Sequence, residues 1–178
     1  MSEELRIPED HALRLNQFGP LMSRHERLQR YFAIGYRFRN SYHPFLISGE
    51  GGTGKEAFAR ALHLQSSFTG EFRVIKERSS FKKIISSLPA QTTIYIPEFT
   101  NISLKGQEQF LALSKIAPRI RIIAAFDLPL ETCMAQGLIR PDFVSRLKPI
   151  MLHLPPLRER QGDLFLLKIG RASCRERV

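Results

Sequence analysis

No stretch of this sequence has the composition of a membrane-spanning or secreted segment. Its apolar runs are all shorter than the roughly 18 residues that cross a bilayer, and its acidic N-terminus, MSEEL, lacks the apolar core of a signal peptide. Two cysteines, Cys133 and Cys174, are too few for a disulfide framework, and the five histidines show no metal-ligand spacing. We therefore expect a cytoplasmic protein with no membrane partner and no His/Cys metal site.

Acidic residues are the scarcer charged class. The 178 residues contain 27 Lys and Arg against 17 Asp and Glu, and the formal net charge is +10. The basic residues are scattered without a dense run, so the charge favours an anionic partner, such as a nucleic acid or a nucleotide, without locating it. A basic surface with no specific partner is the alternative. The length and the 43% hydrophobic content suit one globular domain.

The last ten residues, 169–178, resemble translated adapter rather than protein. The DNA string ATC GGA AGA GCG TCG TGT AGG GAA AGA GTG encodes them codon for codon and resembles a common short-read library adapter. We exclude this segment, which contains Cys174, from the fold, as foreign segments should be. We expect the natural reading frame to continue beyond Lys168; a natural basic tail is the alternative.

Short apolar segments alternate with helical patterns along the rest of the chain. Residues 1 to about 20 are polar and are interpreted as a leader or linker, after which Ser23 is predicted to N-cap a helix over His25–Arg39. The other predicted elements are helices over Glu56–Leu64, Leu104–Ile116 and Leu130–Gln136, and strands over Phe45–Ser48, Phe72–Ile75, Thr92–Ile96, Ile120–Ala125 and Met151–Leu154. This alternation predicts an α/β fold with a mostly parallel, five-stranded sheet.

The strongest motif lies between the first of these strands and the helix that follows it. It consists of Gly49, Glu50, Gly51, Gly52, Thr53, Gly54, Lys55 and Glu56, and it fits the pattern G-x-x-x-x-G-K. Glycines let backbone N–H groups fold around a phosphate, the helix N-terminus adds positive charge, and Lys55 neutralises the β- and γ-phosphates. Most such loops place Ser or Thr where this one has Glu56. A glycine-rich turn with an incidental lysine is the alternative.

Two further motifs, together with this loop, point to one family. The loop, Glu56 included, resembles that of the AAA+ domain in bacterial sigma-54-dependent transcription activators. The run Gly137-Leu-Ile-Arg140-Pro-Asp142-Phe-Val-Ser-Arg146-Leu147 resembles that family's segment G-x-F-R-x-D-L-x-x-R-L. The run Leu154-Pro-Pro-Leu-Arg-Glu-Arg160, followed by Asp163-Leu164, resembles the signature that opens its helical lid. The resemblance covers about Phe18 to Leu167.

The resemblance implies an AAA+ P-loop NTPase domain. Its three-layer nucleotide-binding core would span residues 21–155, and residues 156–168 would begin a truncated helical lid. It also implies ATP as cofactor, ADP as product, a homo-oligomeric ring, remodelling of the sigma-54 RNA polymerase holoenzyme, and DNA binding through a C-terminal domain that is missing here. By motif position, Arg140 and Arg146 would act catalytically on a neighbouring subunit's γ-phosphate. Alternatively, both are surface arginines paired with carboxylates such as Asp142.

The strand over Thr93–Ile96 occupies the place of the Walker B segment in the resembled family. Pro97 stands where that segment has an aspartate, and proline has no anionic oxygen with which to hold a hydrated magnesium ion. Glu98 remains, and a glutamate at this point suits the role of general base for the attacking water. We therefore expect ATP binding with impaired hydrolysis, and the need for Mg²⁺ stays open.

Two more departures affect the same activities. The family's sigma-contacting motif, Gly-Ala-Phe-Thr-Gly-Ala, is absent from residues 77–91, where it would be expected, so sigma-54 contact is in doubt. The fragment Phe68-Thr69-Gly70 is interpreted as a turn before the next strand, and a relocated sigma-contacting loop is the alternative. At the family's sensor position, Asp127 stands where an asparagine is typical. Its carboxylate would either face and repel ATP or cap the turn before Pro129.

Two main hypotheses follow. In the first, the chain is an ATP-binding module of a bacterial transcription regulator, with slow hydrolysis or none. In the second, it is an active magnesium-dependent ATPase in which another residue replaces the lost aspartate. A decayed protein without nucleotide affinity is a third, weaker alternative. An intact phosphate loop beside three departures favours the first hypothesis.

Overall fold

A computed structural model of the chain describes residues 16–76, 87–116, 119–147, 149–163 and 166. Within them the strands are β1 (Gln17–Phe18), β2 (Leu21–Met22), β3 (Phe45–Ser48), β4 (Phe72–Val74), β5 (Thr93–Ile96), β6 (Arg121–Phe126) and β7 (Ile150–His153). The helices are α1 (Glu26–Phe38), α2 (Lys55–Leu64), α3 (Leu104–Ile116), α4 (Leu130–Ala135) and α5 (Pro141–Leu147). Short 3₁₀ turns lie at Phe99–Asn101, Leu157–Glu159 and Gln161–Asp163.

Strands β3 to β7 form one parallel sheet in the order β4-β5-β6-β3-β7. The central strand β3 pairs Ser48 with Phe126 of β6 on one side and with His153 of β7 on the other. Because all five strands run the same way, their carboxyl ends meet at one edge, where parallel sheets bind ligands. The prediction of a five-stranded parallel sheet is confirmed.

Helices cover both faces of the sheet, as buried parallel strands require. Successive strand residues point to opposite faces, so Leu46 packs with α3, α4 and α5, whereas Phe45 and Ile47 pack with α1 and α2. Fully burying a side chain of this size contributes roughly 1.5–3 kcal/mol. The result is the predicted three-layer α/β sandwich.

The end of the predicted leader belongs to the folded domain. Strands β1 and β2 form a short antiparallel hairpin, and the ring of Phe18 packs against Phe32 and Phe58 at centroid distances of 5.9 and 5.6 Å. Gly35 leaves room for Phe18, because a Cβ there would lie 2.9 Å from the ring. This contact fixes helix α1 against helix α2.

The predicted N-cap of helix α1 is wrong. The helix begins at Glu26, with His25 as the N-cap residue and no side-chain capping bond. The hydroxyl of Ser23 instead donates to Asp163 Oδ2 at 2.7 Å and accepts from the backbone N–H of His25 at 3.0 Å. Asp163 also accepts from the backbone N–H of Arg24 at 2.7 Å, so a long-range carboxylate holds the chain just before the helix.

The side chain of Arg121 is buried at the amino end of the sheet. It donates to the backbone carbonyl of Arg39 at 2.7 Å and to the hydroxyls of Ser66 and Thr93 at 3.2 Å. The ring of Phe68 lies 4.2 Å from its guanidinium carbon. Burial lowers the pKa of Arg121 to about 10. Phe68 thus lies in the connection before β4 and serves packing at this end of the sheet.

The adapter-like segment and most of the link between β4 and β5 lie outside the described residues. Among the helices that the structure does describe, none combines the length and the apolar character that crossing a membrane requires.

Candidate nucleotide-binding site

The glycine-rich loop joins the carboxyl end of β3 to the first residue of α2. Gly49, Gly52 and Gly54 have φ angles of 149°, 80° and 95°, which L side chains rarely adopt. Gly54 is the N-cap of α2, so no side chain caps the first backbone N–H groups of this ten-residue helix. Such an uncapped N-terminus, with its partial positive charge, suits an anion.

The base of the loop is held tightly between two strands. The N–H of Gly49 donates to the carbonyl of Phe126 at 3.1 Å, and the N–H of Leu154 donates to the carbonyl of Ser48 at 2.8 Å. A Cβ on Gly49 would lie only 2.7 Å from the carbonyl oxygen of Leu154. The loop apex is open by contrast, since a Cβ on Gly51 would meet nothing within 4 Å.

Lys55 lies beneath the loop with its side chain only 9% exposed. Its ammonium donates to the backbone carbonyls of Gly49 and Glu50 at 2.5 and 2.9 Å, and to Asp127 Oδ1 at 2.8 Å. Asp127 follows β6 directly, and its side chain is 61% exposed. Among the described residues, its carboxylate contacts Lys55 and does not cap the turn before Pro129.

The side chains of Thr53 and Glu56 both form hydrogen bonds to residues close to them in the sequence. The Thr53 hydroxyl donates to the carbonyl of Glu50 at 2.8 Å and so closes the loop on itself. The Glu56 carboxylate accepts from the guanidinium of Arg60, one turn further along α2, at 2.7 Å. Glu56 is therefore engaged on the helix surface.

Two arginines of the motif L-P-P-L-R-E-R, for which the sequence predicts no individual role, also form hydrogen bonds to the loop. Arg158 makes two hydrogen bonds to the Glu50 carboxylate, at 2.6 and 2.5 Å, and Arg160 donates to the carbonyl of Thr53 at 3.0 Å. The Arg158 guanidinium holds the pKa of Glu50 below its usual value. The conspicuous arginines of L-P-P-L-R-E-R were the available signal, but their partners could not be assigned from spacing alone.

A cavity of about 480 Å³ lies beside these arginines, between the start of α1 and the segment after β7. Its lining includes Arg24, His25, Arg158 and Arg160. Two buried nitrogen atoms of lining residues, His25 Nδ1 and Arg160 Nε, lack a hydrogen-bond partner within the described part of the chain. Burial also lowers the pKa of Arg160. Two glutamates also line it, so the cavity is a polar space of mixed charge next to the glycine-rich loop.

Glu98 and Pro97 lie at the carboxyl end of β5, one strand beyond Asp127 in the sheet order. Glu98 is exposed, and its carboxylate accepts a hydrogen bond from the side-chain amide of Asn101 in the following turn. Pro97 provides no carboxylate, and position 56 provides no hydroxyl. These residues therefore do not fit a magnesium ion held as in P-loop ATPases, which use both groups. Within the described ranges, no cluster of three or more His, Cys, Asp or Glu suits a metal.

Of the two motif arginines, Arg140 is paired with carboxylates and has no described hydrogen bond to the loop. Arg140, just before α5, forms two hydrogen bonds to Asp142 at 2.8 and 2.9 Å and an ion pair with Glu108 of α3 at 3.7 Å. Asp142 raises the pKa of the Arg140 guanidinium. Arg146 is part of α5, and its side chain lies outside the described part of the structure. The structure thus brings the loop, Lys55 and Asp127 together, and gives Arg140 carboxylate partners instead.

The parallel sheet and the glycine-rich loop define a P-loop NTPase domain. The family model of the Sigma-54 interaction domain matches residues 36–157. The chain therefore belongs to the Sigma-54 interaction domain family, and the resemblance stated from the motifs is confirmed.

Curated relatives and solved structures agree with this assignment. The chain is 30% identical over 183 residues to the DNA-binding transcriptional regulator NtrC of Azospirillum brasilense, across 83% of this chain and 38% of that protein. It is 30% identical to a Nif-specific regulatory protein of Rhodobacter capsulatus, across 68% of this chain and 27% of that protein. The chain thus spans well under half the length of these relatives.

The fold is shared with AAA+ domains. The P-loop NTPase domain of the Sigma-54 transport activator from E. coli superposes with a TM-score of 0.63 at 20% identity, over 76% of this chain and 99% of that one. NtrX from Brucella abortus in complex with ADP superposes with a TM-score of 0.68 at 21% identity, over 84% of this chain and 41% of that one. At these identities the likeness establishes the AAA+ fold.

Proposed function

We propose that this chain is the nucleotide-binding module of a bacterial transcription regulator and that it binds ADP and ATP at residues 49–55 with little or no hydrolysis. The observation that carries the proposal is the loop itself. It combines an uncapped helix N-terminus, three glycines with positive φ and the buried ammonium of Lys55. The NtrX structures in complex with ATP and with ADP share this fold and support nucleotide as the ligand.

Weak hydrolysis is inferred from the residues beside the loop. Pro97 has no oxygen for a metal, and Glu56 is paired with Arg60. Glu98 keeps the chemistry of a general base, but charge that develops on a transferred phosphoryl group would have little to neutralise it. Nucleotide would then act as a structural or signalling ligand.

The other family properties are part of the same proposal. We infer assembly into a homo-oligomeric ring in which Arg140 and Arg146 face a neighbouring subunit, and DNA binding through a domain outside this chain. The ion pairs of Arg140 with Asp142 and Glu108 would have to open for that contact. Sigma-54 contact is not proposed, because the contacting motif is missing from the sequence.

The test is nucleotide binding by the full 178-residue chain, measured by calorimetry or with a fluorescent ADP analogue. We expect Lys55→Ala to weaken binding roughly 10- to 100-fold, since hydrogen bonds from charged groups are worth about 1.5–3 kcal/mol. Lys105→Ala is the matched control, because Lys105 is an exposed lysine on α3. Binding that is absent, or equal in both variants, would contradict the proposal.

Phosphate release tests the second half of the proposal. With Mg²⁺ and ATP, we expect turnover by the wild type to match that of Lys55→Ala. Magnesium-dependent turnover that disappears in Glu98→Gln would show an active ATPase instead.

A further inference from the structure

In this structure the ammonium of Lys55 is already paired with an anion of the chain itself, the carboxylate of Asp127. We propose that the carboxylate of Asp127 stands at the place of a terminal phosphate and makes this a site that selects a nucleoside diphosphate over the triphosphate. The proposal rests on the proposed function, since it concerns the same loop. It makes Asp127 a specificity-determining residue.

The hydrogen bonds of the Lys55 ammonium are the first argument. An ammonium has three N–H donors, and here they meet three acceptors, the carbonyls of Gly49 and Glu50 and Oδ1 of Asp127. A phosphate oxygen that reaches Lys55 must therefore displace one of these acceptors or share its N–H donor. A diphosphate needs to share this ammonium with Asp127, whereas a triphosphate places further charge beside the same carboxylate.

The position of Asp127 in the sheet is the second argument. Strand β6 lies between β3, which leads into the loop, and β5, which ends at Glu98. The pairing of Ser48 with Phe126 places Asp127 level with Gly49, at the base of the loop. In P-loops the backbone N–H groups cradle the α- and β-phosphates, while the lysine reaches the β- and γ-phosphates. The carboxylate of Asp127, which contacts Lys55 on the side of Glu98, thus lies toward the terminal phosphate.

Charge is the third argument. A carboxylate only accepts hydrogen bonds, so it offers a phosphate oxygen no donor, whereas an amide at position 127 would. Two like charges near a protein surface and about 4 Å apart repel by an amount that corresponds to a tenfold change in affinity or more. Within the described residues, Pro97 and the paired Glu56 provide no site for a cation that would relieve this repulsion. The nucleotide with the extra phosphate therefore loses more affinity.

The experiment compares dissociation constants for ADP and ATP in the full chain, with EDTA and then with Mg²⁺. We expect the wild type to bind ADP about tenfold more tightly than ATP in EDTA. We expect Asp127→Asn to raise ATP affinity about tenfold and ADP affinity less than about threefold, so that the preference disappears. Glu131→Gln is the charge-matched control, because it removes an exposed carboxylate four residues away on α4. It should leave both dissociation constants within about twofold of the wild-type values.

Each other result would overturn the inference. A wild type that binds both nucleotides equally or prefers ATP would do so, as would an Asp127→Asn variant that strengthens both by the same factor. If Asp127→Asn weakens binding in Mg²⁺ only, the carboxylate is a metal ligand instead. If neither nucleotide binds the wild type or the variant, the proposed function fails as well. Asp127→Ser, with melting curves for both variants, separates a specific effect from loss of folding.

Discussion

Two cations are buried against the same sheet, one at each end, and their partners differ. At the carboxyl end, Lys55 contacts two loop carbonyls and the carboxylate of Asp127, a side chain that is 61% exposed. At the amino end, Arg121 is 0% exposed and contacts a carbonyl, two hydroxyls and the ring of Phe68. Among the described contacts of Arg121 there is no carboxylate.

The difference separates a binding group from a structural one. The partner of Lys55 is exposed, so a ligand from solvent can replace it without opening the core. The partners of Arg121 belong to the end of α1, the connection before β4 and the start of β5, so its hydrogen bonds hold three segments together. Burial of a cation is therefore no mark of function by itself; what marks Lys55 is a partner that solvent can reach.

Replacing the two cations in turn tests this comparison and gives the largest expected effect on stability. Arg121→Leu leaves the carbonyl of Arg39 and the hydroxyls of Ser66 and Thr93 without their donor. We expect it to lower the free energy of unfolding by about 3 kcal/mol, because a buried group left unpaired costs about 1–3 kcal/mol and three acceptors, one buried and two half-buried, lose the same donor. Lys55→Met should lower it by only about 1 kcal/mol, because, of its three acceptors, only the Gly49 carbonyl is buried, while nucleotide binding weakens roughly 10- to 100-fold. Urea unfolding curves measure both.

The comparison breaks if Lys55→Met destabilises the chain as much as Arg121→Leu. Lys55 would then be a structural cation too, and the loss of binding in its variants would follow from unfolding. Arg121→Lys sharpens the result, because it keeps the charge but loses the planar fork that serves several acceptors at once. Its stability should lie between those of the wild type and Arg121→Leu.

A smaller effect is expected where the loop base meets the sheet. Gly49→Ala would place a Cβ 2.7 Å from the carbonyl oxygen of Leu154, at a φ of 149°. We expect a loss of about 2 kcal/mol in the free energy of unfolding and weaker nucleotide binding, since strain of this kind costs about 1–3 kcal/mol. Gly51→Ala is the matched control at the open apex and should change stability by less than about 0.5 kcal/mol. Equal losses of stability in both variants would mean that the base of the loop is packed no more tightly than its apex.

The sheet, the loop and the family could be predicted from the sequence because they depend on local patterns. Strands such as Phe45–Ser48 are short apolar runs, and the loop is a contiguous motif whose residue types follow from phosphate chemistry. The three layers then follow from the alternation of strands and helices. Each of these signals lies within about a dozen residues.

The contacts of the site could not be predicted, because they join distant segments. Lys55 and Asp127 are 72 residues apart, and Glu50 and Arg158 are 108 apart. Both contacts depend on which strands are neighbours, which motif spacing does not determine. The wrong N-cap at Ser23 has the same origin, since its hydroxyl bonds Asp163, 140 residues away. In these three cases a carboxylate is bound by a residue distant in the sequence, whereas the local pair of Glu56 with Arg60 lies within one helical turn.

The smallest predicted effect concerns pH and the amino end of the sheet. The ring of His63 lies 2.9 Å from the hydroxyl of Thr93, the same hydroxyl that accepts from Arg121. Burial, together with the charge of Arg121, lowers the pKa of His63 below its ordinary value of 6.5. Between the lowered pKa and 6.5 the unfolded chain binds more protons than the native state. Stability should therefore fall as pH falls through this window.

Urea unfolding midpoints at pH 7.5 and 5.5 measure the effect in the wild type, His63→Gln and His43→Gln. We expect the wild type and the control His43→Gln, a change at an exposed histidine, to lose similar stability on acidification. His63→Gln should lose less over the same interval, whatever its stability at pH 7.5, because the group that must take up a proton is gone. An equal loss in all three proteins would show that the acid sensitivity arises elsewhere and that Arg121 does not couple the amino end to pH.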